Sequence, residues 1–448
     1  MLRGRLKSAI GFALLLAAGL VELARAEPVA GPAESPPDLS SSAERVYAAA
    51  RARLLTIRTL VTAANRQSSI GSGFLVSADG LALTNYHVVS QYALEPASYR
   101  LEYNAADGAH GGLDLLAFDL ANDLAIVRVH GETAGFFQFD ERALRGDLPK
   151  GERLYSMGNP LNLGLTIVEG THSGLVERSY TERLHFSGAL NPGMSGGPTV
   201  TADGLVVGVN VAKQRGGDLV SFLVPAHFAA ELLKRARTAD APTTDFRAEI
   251  SRQLTAWQSA LYRRVDELGF RPTTLGPYQA PESAAPWFTC WANTNAGQIP
   301  KPRAEVSSST CNSETQLFIA NDLTTGLISL THTYVRSIDL NSFQFATLLS
   351  LQSRAGMAGG FSRKWYTPRR CHEDFVDTAQ AGNRLPLRVA WCARAYRELE
   401  GVYDVWVMAV TQDSGAQALV SRLTLQAVGY DEGIALAKRF LEALQWKK

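Results

Sequence analysis

In 448 residues the chain carries 44 Lys and Arg against 43 Asp and Glu, a net charge of +1, and 46% of its residues are hydrophobic. The near-zero charge, with no basic stripe of interleaved aromatics, excludes nucleic acid as a partner. The composition is that of a globular protein, and the length suits two or three domains at roughly 100 to 200 residues each.

The N-terminus reads as an address. Arg3, Arg5 and Lys7 precede an apolar run from Ala9 to Val21, and Ala24-Arg25-Ala26 follows as a small-x-small cleavage site. This pattern is a secretory signal over 1–26, because the run falls short of the ~20 residues that cross a bilayer. No later segment is long enough to span, so a protein exported to the periplasm or secreted, without a membrane span after signal removal, is expected. Residues 27–42 are rich in Pro, Ser and Ala and read as a flexible lead-in.

A short helix is predicted from Ala43 to about Arg53. Beyond it come short strands closed by tight turns: Gly73–Val76, the turn Ala78-Asp79-Gly80, then Leu81–Thr84; and Ala202-Asp203-Gly204 followed by Leu205–Val209. The pattern is all-β and ends near Pro225, where Ala226–Arg237 reads as a helix, giving one domain over 43–237. Residues 238–286 read as a linker. Within it Ile250, Leu254, Trp257, Leu261, Val265 and Leu268 recur at helical steps and stop at Gly269, an amphipathic helix with a glycine cap. Four prolines between Arg271 and Pro286 suggest a stiff connector.

Over 287–448, alternating strands such as Val405–Met408 and Leu423–Leu425, and a last helix on Ile434, Ala437, Leu441 and Leu444, indicate a smaller α+β domain. All four cysteines, Cys290, Cys311, Cys371 and Cys392, lie there, and in an exported chain they predict disulfides. Of the three pairings, Cys290–Cys311 and Cys371–Cys392 close equally short loops and are preferred. A zinc site lacks any C-x-x-C pair, the histidines lack paired spacing such as H-E-x-x-H, and no metal or cofactor is expected.

A serine hydroxyl is a poor nucleophile and needs a base, a group that orients the base and donors for an oxyanion. Ser195 lies in Gly193-Met194-Ser195-Gly196-Gly197, where glycines let the N–H groups of Gly193 and Ser195 converge. Upstream, Thr84-Asn85-Tyr86-His87 places a histidine after a strand, and Asn122-Asp123-Leu124-Ala125 sets an acid at the mouth of an apolar strand. Each alone is weak; the order His, Asp, Ser on one β domain is not. The same Gly-x-Ser-x-Gly also fits an α/β-hydrolase elbow, but an elbow leads into a helix, whereas Gly196–Val211 reads as turn and strand.

These segments, with Gly71-Ser72-Gly73-Phe74, Gly158-Asn159-Pro160, Gly174-Leu175-Val176, Gly208-Val209-Asn210 and Phe222-Leu223-Val224-Pro225, resemble HtrA-type trypsin-like serine proteases over roughly 43–237. The resemblance implies a double β-barrel and an endopeptidase acting on proteins or peptides, including unfolded ones. It assigns Ser195 as nucleophile, His87 as base, Asp123 as its orienter, and the amides of Gly193 and Ser195 as oxyanion hole. It further places Ala189, Val209 and Asn210 at the specificity pocket, where the uncharged Ala189 suggests cleavage after small or medium apolar residues. The rival is a binding protein on a protease fold. The four-cysteine domain stands where this family usually carries PDZ domains.

Overall fold

The structure is a computed structural model that describes residues 41–131, 133, 135–211, 220–238, 244–354, 362–378 and 384–447. The signal at 1–26, the lead-in up to 40 and part of the linker, 239–243, lie outside the described residues.

Helix α1 (Ser41–Ala50) leads into two closed antiparallel barrels. The first contains β1 (Leu54–Val61), β2 (Arg66–Leu75), β3 (Leu81–Thr84), β4 (Tyr99–Ala105), β5 (His110–Asp119) and β6 (Leu124–Val129), with α2 (Tyr86–Leu94) between β3 and β4. It closes where β1 pairs with β4, Leu55 opposite Ala105. After α3 (Glu141–Arg145) the second contains β7 (Arg153–Gly158), β8 (Thr166–Leu175), β9 (Leu184–Phe186), β10 (Pro198–Val200), β11 (Val206–Val211) and β12 (Ser221–Pro225). Both expected Asp-Gly turns form, with Gly80 at φ 79° and Gly204 at φ 76°, left-handed values that cost glycine nothing.

The unbroken apolar run in β6 has a two-sided cause. Leu124 and Ile126 face a core shared with Tyr155, Met157, Val200 and Val209 of the second barrel. Ala125, Val127 and Val129 point the other way, into a cluster that continues into the C-terminal domain. Successive side chains of a strand take opposite faces, so a strand buried on both needs no polar alternation.

α4 (Ala226–Thr238) closes the barrels, and α5 (Phe246–Leu268) joins them to the second domain. Its first half, Phe246, Ile250 and Leu254, packs with the first barrel; its second half, Leu261, Tyr262 and Val265, packs against the C-terminal sheet. Asp245 caps its start by accepting from the Ala248 amide, and Gly269 ends it at φ 68°.

The proline-rich segment differs from the expected connector. It forms a hairpin, β13 (Phe270–Leu275) and β14 (Tyr278–Ser283), in which Pro272 faces Pro281. Proline removes a ladder donor, and the position tolerates it because β13 is an edge strand. The short partner on the other side of β14 pairs only with Tyr278 and Gln279 and never reaches Pro281.

The remaining strands are β15 (Phe288–Thr294), β16 (Ala304–Ser313), β17 (Leu317–Ala320), β18 (Leu323–Thr325), β19 (Ile328–Ser337), β20 (Arg370–Asp377), β21 (Pro386–Ala395), β22 (Tyr403–Thr411), β23 (Gln417–Val428) and β24 (Gln445–Trp446). Seven of them form one sheet in the order β15-β16-β19-β23-β22-β21-β20, with β17 and β18 as a separate hairpin. α6 (Ser342–Arg354) and α7 (Tyr430–Glu442) complete the domain. Leu436, Ala437 and Phe440 bury the inner face of α7, a stripe rotated from the expected one because Ile434 and Leu441 sit at its margins.

Cys290 is bonded to Cys311 and Cys371 to Cys392, each pair directly opposite across neighbouring strands. β15 and β20 are the two outer strands of the sheet, and every residue of β20 is exposed. A strand that buries so little gains little from the core, and a covalent tie to its neighbour holds it in register.

His332 lies inside this domain. Its Nε2–H donates to the Pro281 carbonyl at 2.7 Å, and Nδ1 accepts from the Ser421 hydroxyl at 2.9 Å, so the neutral ring is fully satisfied. Burial pushes its pKa down to about 4 from the ordinary 6.5. Between those values the unfolded chain binds a proton that the folded chain refuses. Stability is therefore whole above pH 6.5 and is lost as pH falls towards 4, by about 3 kcal/mol at the limit. Thermal melts over this range should show the loss, and His332→Gln should flatten it.

Candidate active site

Three short segments on two barrels build the site. Asp123 ends the turn before β6 at φ 59°, a left-handed conformation that Asp tolerates. The turn is fixed by the Asn122 amide and side chain, which donate to the two oxygens of Asp119, both at 3.1 Å. The Asp123 carbonyl accepts from the Asn85 side chain at 2.7 Å and the Tyr86 amide at 3.2 Å, tying it to the start of α2.

His87 is the second residue of α2. Its backbone N–H is among those a helix start leaves without an internal partner, and Asp123 Oδ1 accepts it at 2.9 Å. Asp123 Oδ2 meets the His87 ring at Nδ1, at 2.6 Å. A carboxylate held at both oxygens by one residue fixes the ring's orientation and places the Nδ1 proton towards Asp123, leaving Nε2 to act.

Ser195, buried at 4% exposure, lies on the turn before β10 of the second barrel. Gly193 at φ 98° and Gly196 at φ 84° frame it, and a Cβ at either would overlap a carbonyl oxygen, that of Asn159 or that of Ser72. The turn is bolted to the first barrel: the Ser72 amide donates to the Ser195 carbonyl at 2.7 Å and the Ser72 hydroxyl to the Gly193 carbonyl at 2.7 Å. Gly71 lets α2 and the serine turn approach, since a Cβ there would run into Val88 and lie 3.1 Å from the Ser195 carbonyl oxygen.

The Pro192 carbonyl accepts from the Leu161 amide at 2.8 Å. A trans peptide points its C=O and N–H in opposite directions, so this bond turns the Gly193 N–H the other way, and that N–H has no partner among the described residues.

Ala189 is half-buried, while Val209 is wholly buried in the shared core of the barrels. Asn210 is also wholly buried. Its Oδ1 accepts from Ser156 and Thr199 at 2.8 and 2.7 Å, and its Nδ2 donates to the carbonyls of Met157 and Met194 at 2.9 and 3.2 Å. With its amide saturated, Asn210 braces the serine turn from behind.

Sequence reasoning did not single out Ser72 as a brace, nor Arg183. Arg183 reaches Asn122 Oδ1 at 3.5 Å and lies within electrostatic range of Asp123 and Asp119. Burial pulls its pKa down, against the pull of those carboxylates. Its loop also carries Tyr180, whose ring sits 5.9 Å from Trp257 and 5.2 Å from Trp287 of the following domain.

Residues 71–209 match the trypsin-like peptidase domain. Over 177 residues the chain is 32% identical to a DegP-like periplasmic serine endoprotease of Bartonella henselae, covering 38% of this chain and 34% of that protein. Over 164 residues it is 31% identical to the serine protease HTRA1 of Xenopus tropicalis, covering 35% of this chain and 34% of that protein. An HtrA-type protease solved with a tripeptide is 24% identical, covering 43% of this chain and 62% of that one at a TM-score of 0.37. The chain thus spans about a third of the length of these curated relatives. No helix among the described residues is long and apolar enough to cross a membrane.

Proposed function

We propose that this chain is an exported serine endopeptidase in which Ser195, His87 and Asp123 act as a triad. The observation that carries the reading is the double anchorage of His87 by Asp123, with the glycine-framed Ser195 turn packed close to the start of the same helix.

In the first step Ser195 Oγ attacks the scissile carbonyl carbon while its proton passes to His87 Nε2. The carbonyl oxygen becomes an oxyanion that accepts from the amides of Gly193 and Ser195, a type of contact worth roughly 3 kcal/mol per donor. The C–N bond then breaks, the His87 Nε2 proton leaves with the amine, and an acyl ester remains on Ser195. Water attacks that ester, giving a proton to His87 Nε2; the acyl C–Oγ bond then breaks as His87 returns that proton to Ser195 Oγ, and the acid product leaves. Asp123 keeps the ring in the reactive tautomer and offsets the imidazolium charge.

The uncharged Ala189 favours small or medium apolar side chains before the cut, and the substrates are proteins, including unfolded ones. Export rests on the N-terminal signal pattern, and the periplasm is the compartment in the name of the Bartonella relative. A fluorophosphonate probe should label the wild-type chain at Ser195, and Ser195→Ala and His87→Ala should abolish labelling. An unlabelled wild-type chain that leaves unfolded protein intact would replace this reading with the binding-protein one.

A further inference from the structure

The C-terminal domain touches the histidine of the site. β17 lies against α2, and the Tyr86 hydroxyl, neighbour to His87, donates to the Ile319 carbonyl at 3.1 Å. Tyr86 is wholly buried, and burial pushes its hydroxyl pKa up, so it stays a neutral donor. Beside that bond the Phe318 ring meets the Tyr86 ring at 6.4 Å and the His87 imidazole at 6.0 Å, inclined by 74°. Leu317, Ile319, Ala320 and Leu323 belong to the same buried cluster as Tyr86, Val88 and Val89, so hairpin and helix share one core.

The hairpin is fixed from its far side as well. Thr325, at the end of β18, bonds the Tyr396 hydroxyl at 2.5 Å, and Tyr396 donates to buried Asp404 at 2.7 Å.

A histidine side chain at a helix start can swing about its first torsion, away from its carboxylate and into water. An aromatic ring packed against the imidazole restricts such a swing and lowers the water density around the Nδ1–Asp123 bond, which strengthens the bond. We infer that Phe318 is a positioning residue for His87, and that the C-terminal domain supplies one wall of the active site. This inference rests on the peptidase reading for its catalytic consequence, but not for its effect on the ring.

The test uses the full chain with Phe318→Ala and Phe318→Leu. Two readouts are taken: fluorophosphonate labelling as a function of probe concentration, and the low-field proton resonance of His87 Nδ1–H with its rate of exchange with water. Misplacing a catalytic group by a fraction of an ångström lowers rate more than binding. Phe318→Ala should therefore slow maximal labelling by about tenfold at unchanged half-saturating probe, and the Nδ1–H resonance should broaden into water exchange. Phe318→Leu, which keeps most of the volume, should fall between.

Wild-type labelling and an unchanged resonance in either folded variant would overturn the inference. If the wild-type chain is not labelled, yet its Nδ1–H resonance is sharp and lost in the variants, the peptidase reading fails and the positioning role stands.

Discussion

Asp123→Asn is expected to slow fluorophosphonate labelling and peptide hydrolysis by about four orders of magnitude while the fold survives. The size is that of the same substitution in another protease triad, and the geometry here supplies the reason. Asp123 Oδ1 accepts the His87 backbone N–H, so an asparagine must keep its oxygen on that side and turn its NH2 towards the ring. Nδ1 of His87, 2.6 Å from the second oxygen in the wild type, then has to be the unprotonated nitrogen that accepts from that NH2. The proton moves to Nε2, where it blocks transfer from Ser195. Because the helix start keeps its acceptor, melting should change little. A labelling rate within tenfold of wild type would remove Asp123 from the triad.

Why the candidate site is legible in the sequence, and the residues packed around it are not, follows from distance along the chain. His87, Asp123 and Ser195 each carry a local signature, a strand end or a glycine turn, and their order narrows the possibilities. The barrels are legible for a related reason: Asp-Gly turns and strand-length apolar runs are local.

Asn210 is different, because a lone Asn after an apolar run gives no sign that Ser156, Thr199, Met157 and Met194 will surround it. Phe318 is more hidden still. Its neighbour Ile319 meets Tyr86 across 233 positions, and no periodicity reports a contact of that range. The prolines near Pro272 misled for the opposite reason, since stiffness is a local property while tolerance at a sheet edge depends on strands that pair elsewhere.

Asp404→Ala is expected to be the most destabilising of the substitutions considered. Asp404 is fully buried, and its Oδ2 accepts from Arg394 Nε and Nη2 at 2.9 and 2.7 Å while Oδ1 accepts from the Tyr396 hydroxyl and the Ala427 amide. Burial raises its pKa, and the Arg394 charge beside it opposes that rise. The guanidinium of Arg394 also lies 3.4 Å from the centre of the Tyr366 ring.

Removing the carboxylate leaves a buried positive charge without its counter-ion and a tyrosine hydroxyl without its acceptor, a change that costs about 3 to 5 kcal/mol. The Tyr396 hydroxyl, relieved of Asp404, shifts its bonding with Thr325, the residue that fixes the end of β18. Asp404→Ala should thus lower the denaturation midpoint sharply and, at temperatures where the chain is still folded, slow Ser195 labelling through the loosened hairpin. Asp404→Asn, which keeps an acceptor for Tyr396 but not the charge, should lose stability with a smaller effect on labelling. If Asp404→Ala labelled at the wild-type rate while folded, the network would hold the domain together without bearing on His87.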